Sequence, residues 1–396
     1  MTPTHRVDPP THRVDLIVGA RPNFVKIAPI VRALKARGTF APRLIHTGQH
    51  YDFLMDRVFF EELRIPAPDV NLKIGSGPAS EQVAKIMLAL HPLFVEDRPH
   101  LLIVVGDVNS TVAAAFVAST LRIPIAHVEA GLRSFDREMP EELNRLVVDQ
   151  LSDIHFVTEK EAETNLLAER VAQARIKFVG NVMIDTAYDA LERAIPADAT
   201  FAAAGGTPAF RARARGGFGF ATLHRPSNVD DPVKLAALVE ALVTVSQTLP
   251  LVFAVHPRTR GNLEKAGLTE RLNAPGLLVC EPLGYLASLG LMREAKVVVT
   301  DSGGMQEETT ALGVPCITVR DNTERPITIA EGTNTLIGSD PARIGPIVAD
   351  ILATGGKRGR KPALWDGKAA ERIAAEAEAF LGGAAFVEVA PRSGRR

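Results

Sequence analysis

The chain has 396 residues, 46% of them hydrophobic and 23% charged, with a formal net charge of −1. That length predicts two domains, and the near-zero charge excludes bulk electrostatic binding to nucleic acid or an anionic membrane. No apolar run reaches membrane-span length, the first thirty residues lack a signal-peptide core, and Cys280 and Cys316 lie in separate apolar segments without CxxC spacing, so a cytosolic enzyme with buried, unbridged thiols is expected.

Residues 1–13 carry one copy and the start of a second copy of a short duplication, THRVD at Thr4–Asp8 and Thr11–Asp15, and read as a disordered extension ahead of the first core element. From residue 14, short β-branched or Leu-rich runs alternate with helical patterns. The runs VDLIVG (14–19), PRLIHT (42–47), LLIVVG (101–106), PIAHVE (124–129), IHFVT (154–158) and IKFVG (176–180) are predicted strands. Between them, apolar residues recur every three or four positions over Phe24–Arg37, Glu81–Val95 and Ser110–Leu121. Such alternation predicts a parallel sheet covered on both faces.

An Ala-, Gly- and Arg-rich stretch from about 195 to 215 breaks the rhythm and marks a domain boundary near its start. A second series follows: GFGFATL (217–223), LVFAVH (251–256), GLLVCE (276–281), AKVVVT (295–300) and PCITVR (315–320). The expected class is α/β, with two Rossmann-like domains whose parallel sheets face each other across a cleft, 14–194 and 195–365. A last helix near Asp366–Leu381 is expected to pack back on the first domain, and 382–396 form a tail.

Polar chemistry gathers just past the predicted strands, where open parallel sheets bind ligands. The first strand runs into GARPNFVKIAP (19–29), a Gly-containing turn into a helix, with Arg21 and Lys26 adding positive charge near an anion-binding helix start. This is not GxGxxG, so no dinucleotide cofactor is indicated, and no cluster has metal-ligand spacing. Asp107 follows Gly106 at the end of LLIVVG, placed to act as a base or to cap the next helix.

The stretch His127–Arg145 is the densest in charge. Glu129 stands at a strand end, Pro140 suits a first helical turn, and Glu141 and Arg145, four apart, share a helix face on which they can pair. Asp107, Glu129 and Glu141 are expected to converge, and crowded like charges raise at least one pKa, which allows acid and base roles near neutral pH. Asp136, Glu138 and Glu142 read as solvated.

In the second series, His224 and Arg225 follow one strand, and His256 and Arg258 follow the next. A histidine there serves a phosphate or caps a helix. VVVTDSGGMQEE (297–308) then ends a strand and opens a helix. The amides of Ser302, Gly303 and Gly304 suit a phosphate, and Glu308 suits a ribose diol.

Seven motifs in order, GxRPxxxKxAP (19–29), Gly106-Asp107, HVEAGLR (127–133), PEExNR (140–145), HR (224–225), DSGGxQEE (301–308) and RxxTERP (320–326), resemble the non-hydrolysing UDP-N-acetylglucosamine 2-epimerases, from about Val14 to Leu381. The resemblance implies the two-domain fold of B-type glycosyltransferases, a cytoplasmic homodimer, no cofactor, and a product used in cell-surface polysaccharide synthesis. It implies anti elimination of UDP across C1–C2 to 2-acetamidoglucal, then readdition with protonation of the opposite face. Asp107, Glu129 and Glu141 match the carboxylates of that proton traffic, with acid and base unassigned, and Lys26, Arg145 and His224 match residues needed for activity. Arg21, Arg225, His256, Ser302, Gly303, Gly304, Glu308 and Arg325 match the UDP-sugar site. A hydrolysing 2-epimerase, a 2-epimerase of a modified sugar such as a 2,3-diacetamido uronate, and a UDP-sugar glycosyltransferase are the alternatives. Two departures bear on this. Asn23 stands where the family usually has Glu, which leaves the C3 substituent and the C6 oxidation state open. Gln49-His50-Tyr51-Asp52 differs after the histidine from members activated by a second UDP-N-acetylglucosamine, so that regulation is not implied.

Overall fold

A computed structural model describes residues 12–48 and 61–383, and of Arg21 and Pro22 the backbone alone. Two wholly parallel sheets form the frame. The first comprises β1 (His12–Val18), β2 (Phe40–His46), β3 (Val70–Asn71), β4 (Leu101–Val105), β5 (Ile125–Val128), β6 (Ile154–Val157) and β7 (Ile176–Phe178), in the order 3-2-1-4-5-6-7. The second comprises β8 (Gly219–Thr222), β9 (Leu251–Ala254), β10 (Leu277–Cys280), β11 (Val297–Thr300), β12 (Cys316–Thr318) and β13 (Asn334–Leu336), in the order 10-9-8-11-12-13. Central strands such as Leu101–Val105 and Val297–Thr300 are buried at every residue, as helices on both faces require.

Three differences from the sequence reading have physical causes. β1 begins at His12, so the first strand takes in two residues assigned to the extension, and Arg13 pairs with Ala41 of β2. β3 and β13 were not anticipated: they are edge strands of two and three residues, too short to show a period. The stretch after 195 forms two short helices, Ala197–Ala203 and Pro208–Ala214. Residues 49–52 and most of the tail lie outside the described residues.

Strand order reverses between β1 and β4 in one sheet and between β8 and β11 in the other. Chain leaving the carboxyl ends of two such strands departs in opposite directions and opens a crevice. The polar motifs sit at those two crevices.

The helix Ala369–Gly383 packs against Arg21–Arg37 and Val182–Ala190 of the first half. It is apolar on one side, burying Ile373, Ala374, Ala377 and Leu381. Asp185 accepts from the amides of Ala369 (3.1 Å) and Ala370 (2.7 Å) at its start, and the fully buried Trp365 donates from Nε1 to the Thr158 carbonyl. Asp185→Ala removes that cap and should cost on the order of 1 kcal/mol, read as a lower urea midpoint. An unchanged midpoint would mean that packing alone holds the helix. No described helix is long and apolar enough to cross a membrane.

Candidate active site

At the first crevice the helix Arg21–Arg37 follows β1 and brings Lys26 inward, 7% exposed, with Nζ 2.5 Å from Glu129 Oε2. Asn23, the departure from the family pattern, ties its own turn to the next strand: its Nδ2 donates to the Val105 carbonyl (2.8 Å) and its Oδ1 accepts from Ala20 N. A glutamate has no donor for that carbonyl. Gly106 turns the chain after β4 at φ +66°, and a Cβ there would lie 3.3 Å from Lys26 Nζ, so glycine serves both the turn and the lysine.

Asp107 does not cap the next helix, whose N-cap is Val108. Its Oδ2 instead accepts from Arg145 Nε (3.0 Å) and Nη2 (2.7 Å). Arg145 is 2% exposed on the helix Pro140–Leu151, and its third contact corrects the expected pairing. Nη1 donates to Glu142 (2.7 Å), three residues back, while Glu141 is half-buried and has no bonded partner among the described residues. Glu142 was read as solvated and is in fact 2% exposed. It also accepts from the amides of Ser134 and Phe135 and from the Ser134 hydroxyl, so it fastens the 134–135 turn to the helix.

At the second crevice Asp301, fully buried after β11, organises the residues after β8. It accepts from His224 N, Arg225 N and Asn228 Nδ2, and one oxygen lies 2.9 Å from His224 Nδ1. Burial pushes the Asp301 carboxyl up, and the contacts to His224 and Asn228 and the Arg225 amide outweigh it, leaving it below its ordinary value. His224 keeps its side chain 36% exposed beside the His256 ring. The capping role falls to His256, whose Nδ1 accepts from Arg258 N at the start of Pro257–Lys265.

Ser302 is the N-cap of Gly303–Leu312, and the first amides of that helix have no carbonyl within it to receive them. Beside Gly303, where a Cβ would come 3.0 Å from Glu324 Oε1, stands a carboxylate held by Arg320 (2.8 Å) and 3.7 Å from Arg225 Nη2. Glu308, on the same helix, is buried and accepts from the Tyr285 hydroxyl (2.8 Å). Burial pushes its carboxyl up to about 7 against that hydrogen bond.

Arg325 joins the two crevices. Leaving β12, it is 5% exposed, donates from Nη2 to Glu129 Oε1 (2.5 Å) and places Nε 2.7 Å from Glu307 Oε1. Glu307 also accepts from Asn181 Nδ2 of the first half. Glu129 has φ +70°, a left-handed backbone that is uncommon outside glycine and persists where surrounding contacts over-determine it. Burial pushes the Glu129 carboxyl up, but Arg325 and Lys26 outweigh it and hold it well below the ordinary range. The expected rise is thus absent at Glu129. Burial drives Glu307 up against Arg325, and drives Glu159, just past β6, up to about 8.

Lys26, Glu129 and Arg325 thus form one chain of ion pairs and Asp107 and Arg145 a second, near enough for the Arg145 charge to act on Glu129, and His224, Arg225, Ser302, Gly303 and Gly304 line the facing loops. Sequence reasoning missed Glu142, Asp301, Glu307, Glu324 and Tyr285. Asp301 had a usable signal, a carboxylate just past a buried strand and ahead of a glycine pair. The others needed the tertiary fold.

The sequence profile of the UDP-N-acetylglucosamine 2-epimerase family matches residues 32–378. The chain is 39% identical over 364 residues to a UDP-N-acetylglucosamine 2-epimerase of Methanocaldococcus jannaschii, covering 91% of this chain and 97% of the relative. It is 40% identical over 326 residues to a UDP-2,3-diacetamido-2,3-dideoxy-D-glucuronate 2-epimerase of Pseudomonas aeruginosa, covering 82% and 87%. The crystal structure of the M. jannaschii UDP-GlcNAc 2-epimerase in complex with UDP-GlcNAc and UDP superposes with a TM-score of 0.80 at 38% identity, over 92% of this chain and 99% of that one. The fold, the two facing crevices and these likenesses place the chain in the UDP-N-acetylglucosamine 2-epimerase family.

Proposed function

We propose that the protein interconverts UDP-N-acetylglucosamine and UDP-N-acetylmannosamine without net hydrolysis. The observation that carries this reading is the Lys26–Glu129–Arg325–Glu307 bridge, with Asp107 and Arg145 beside it, between two nucleotide-type crevices. In the first step a base takes the C2 proton, the C1–oxygen bond breaks and UDP leaves with the electron pair, giving 2-acetamidoglucal. In the second a proton reaches C2 from the other face and a UDP phosphate oxygen re-forms the bond at C1. Asp107, Glu129 and Glu141 are the proton-handling groups in this reading, with acid and base left open.

His224, Arg225, Arg21 and the amides at Ser302, Gly303 and Gly304 take the diphosphate and stabilise the charge that grows on it. Glu308 accepts the ribose hydroxyls, His256 flanks His224, and Lys26, Arg145 and Arg325 balance the carboxylates. Such preorganised cations and dipoles serve leaving-group departure without a metal. A closed cleft keeps water from the glucal.

Proton NMR in deuterated water is the test. Deuterium at C2 of both UDP-linked epimers supports the proposal. Free N-acetylmannosamine identifies a hydrolysing enzyme, and no exchange overturns both. The likeness to the Pseudomonas enzyme favours a second substrate reading, a 2,3-diacetamido uronate, so both UDP-sugars belong in the assay. Asp301→Asn should lower kcat by on the order of 10- to 100-fold, because an amide cannot accept from both His224 groups and Asn228 at once. Unchanged turnover would remove Asp301 from the mechanism.

We also propose the domain division 14–194 and 195–365, a cytoplasmic location, and a homodimer supplying cell-surface polysaccharide synthesis. The dimer reading is supported by Leu88, Phe116, Leu143 and Val147, exposed apolar residues on the helices Ala79–Glu96, Asn109–Thr120 and Pro140–Leu151, which pack side by side.

A further inference from the structure

His127 is fully buried in the middle of the first sheet, paired with Val104 of β4 and His155 of β6. Both of its ring nitrogens meet acceptors. Nδ1 lies 2.6 Å from Asp149 Oδ1 and Nε2 lies 2.9 Å from the carbonyl oxygen of Gly106. A carbonyl only accepts. Asp149 is likewise committed as an acceptor, since its Oδ2 takes the Gly131 amide (3.1 Å) and Arg133 Nη2 (2.7 Å). The guanidinium of Arg133, paired with that oxygen, favours the ionised carboxylate whatever the state of His127.

A neutral imidazole has one N–H and would leave a lone pair against a lone pair at one of these contacts, an unsatisfied polar group in the middle of the sheet. The surrounding charges fit the doubly protonated ring. Arg133 pairs with both Asp149 and Glu169, so His127, Arg133, Asp149 and Glu169 form a set of two cations and two anions. His155 also faces Asp149 but donates from Nε2 only to its backbone carbonyl (2.7 Å), and burial lowers its own pKa, so it adds no charge.

The contact at Gly106 gives this ring a task. The Gly106 carbonyl belongs to the peptide that leads into Asp107. On the far side of that residue, Asn144 donates to the Asp107 carbonyl (2.8 Å) and Arg145 holds its carboxylate. We propose that His127 is a positioning residue, locked as an imidazolium between Asp149 and the Gly106 carbonyl, that fixes the peptide carrying Asp107 for proton transfer. The placement rests on the reading of Asp107 as a proton-handling group; the charge state does not.

Nitrogen-15 histidine NMR of the whole protein tests the charge state without turnover. His127, assigned by its absence in His127→Gln, should show two protonated ring nitrogens at pH 7, and Asp149→Asn should abolish that pattern. One protonated and one bare nitrogen at pH 7 in the native protein overturns the proposal. Kinetics test the task. His127→Gln donates to only one of the two acceptors, and should lower kcat and the rate of C2 deuterium exchange by at least about tenfold while KM stays within about twofold. A change in KM alone, or unchanged kcat, overturns the positioning role. If His127→Gln does not fold, Asp149→Asn carries the same kinetic expectation. Unchanged turnover in Asp107→Asn would instead sink the assignment of Asp107, and the imidazolium signature would then stand or fall by itself.

Discussion

Replacing Arg325 with methionine should destabilise the protein by about 3–5 kcal/mol at pH 8 and abolish turnover. Arg325 is the cation between Glu129 and Glu307, which are 2% and 1% exposed. Its removal leaves two buried carboxyls, with Lys26 near one of them. The pH dependence follows from the signs. In the native protein the folded-state pKa of Glu129 lies below its unfolded value, so the group contributes stability above the unfolded pKa of about 4.5 and loses it as pH falls through the folded value. Without Arg325 burial outweighs the remaining positive charge and the carboxyls keep their protons in the folded state. Stability then falls as pH rises above the unfolded value, so the variant recovers part of its loss at pH 5. Thermal unfolding at pH 5 and pH 8 checks this, and an equal loss at both would show that Arg325 acts by packing and not by charge.

Glu159→Gln should do the reverse and raise stability in alkali. Glu159 is 1% exposed and neither carboxyl oxygen has a hydrogen-bond partner in the described structure. Burial carries its pKa to about 8 from an ordinary 4.5, with Arg325 opposing and Glu307 adding to the rise. Between those values the folded state holds a proton that the unfolded state has released, so native stability falls with rising pH by about 1.4 kcal/mol per unit. Glutamine has the shape of the neutral acid and no proton to lose. The variant should match the parent at pH 4.5 and exceed it by about 3–5 kcal/mol at pH 8.5 in urea unfolding. A gain of the same size at both pH values would refute the linkage. The native residue thus holds a proton next to the Glu129–Arg325–Glu307 bridge at a stability cost, and a drop in C2 exchange in Glu159→Gln would connect that proton to turnover.

Much of the frame was legible because its central strands are buried runs of Leu and β-branched residues that end in charge. LLIVVG-Asp107 and VVVT-Asp301 each announce a buried strand whose carboxyl end meets polar chemistry. Less legible was which neighbour of a pair faces inward. Glu141 and Glu142 differ by one position, about 100° around a helix, and both lie within reach of Arg145 by sequence spacing. The 134–135 turn, folded over the helix, decides that Glu142 is the buried partner. Nor does any local pattern place Arg325 on Glu129, 196 residues away. Chains of that separation are joined by the closure of the two halves, and the sequence carries only the charges that make the closure favourable.

The return of the last helix to the first half orders the events of synthesis. Ile373, Ala377 and Leu381 complete a surface built largely by Arg21–Arg37 and Val182–Ala190, yet they leave the ribosome after every strand of the second sheet. The first half therefore waits, with an apolar face uncovered, while the second half folds as a long insertion between its parts. Contacts between residues so distant in the chain form slowly and leave partly folded forms open to association. A nascent chain stopped near residue 365 should expose that face and call on chaperones until the final turns are released to cover it.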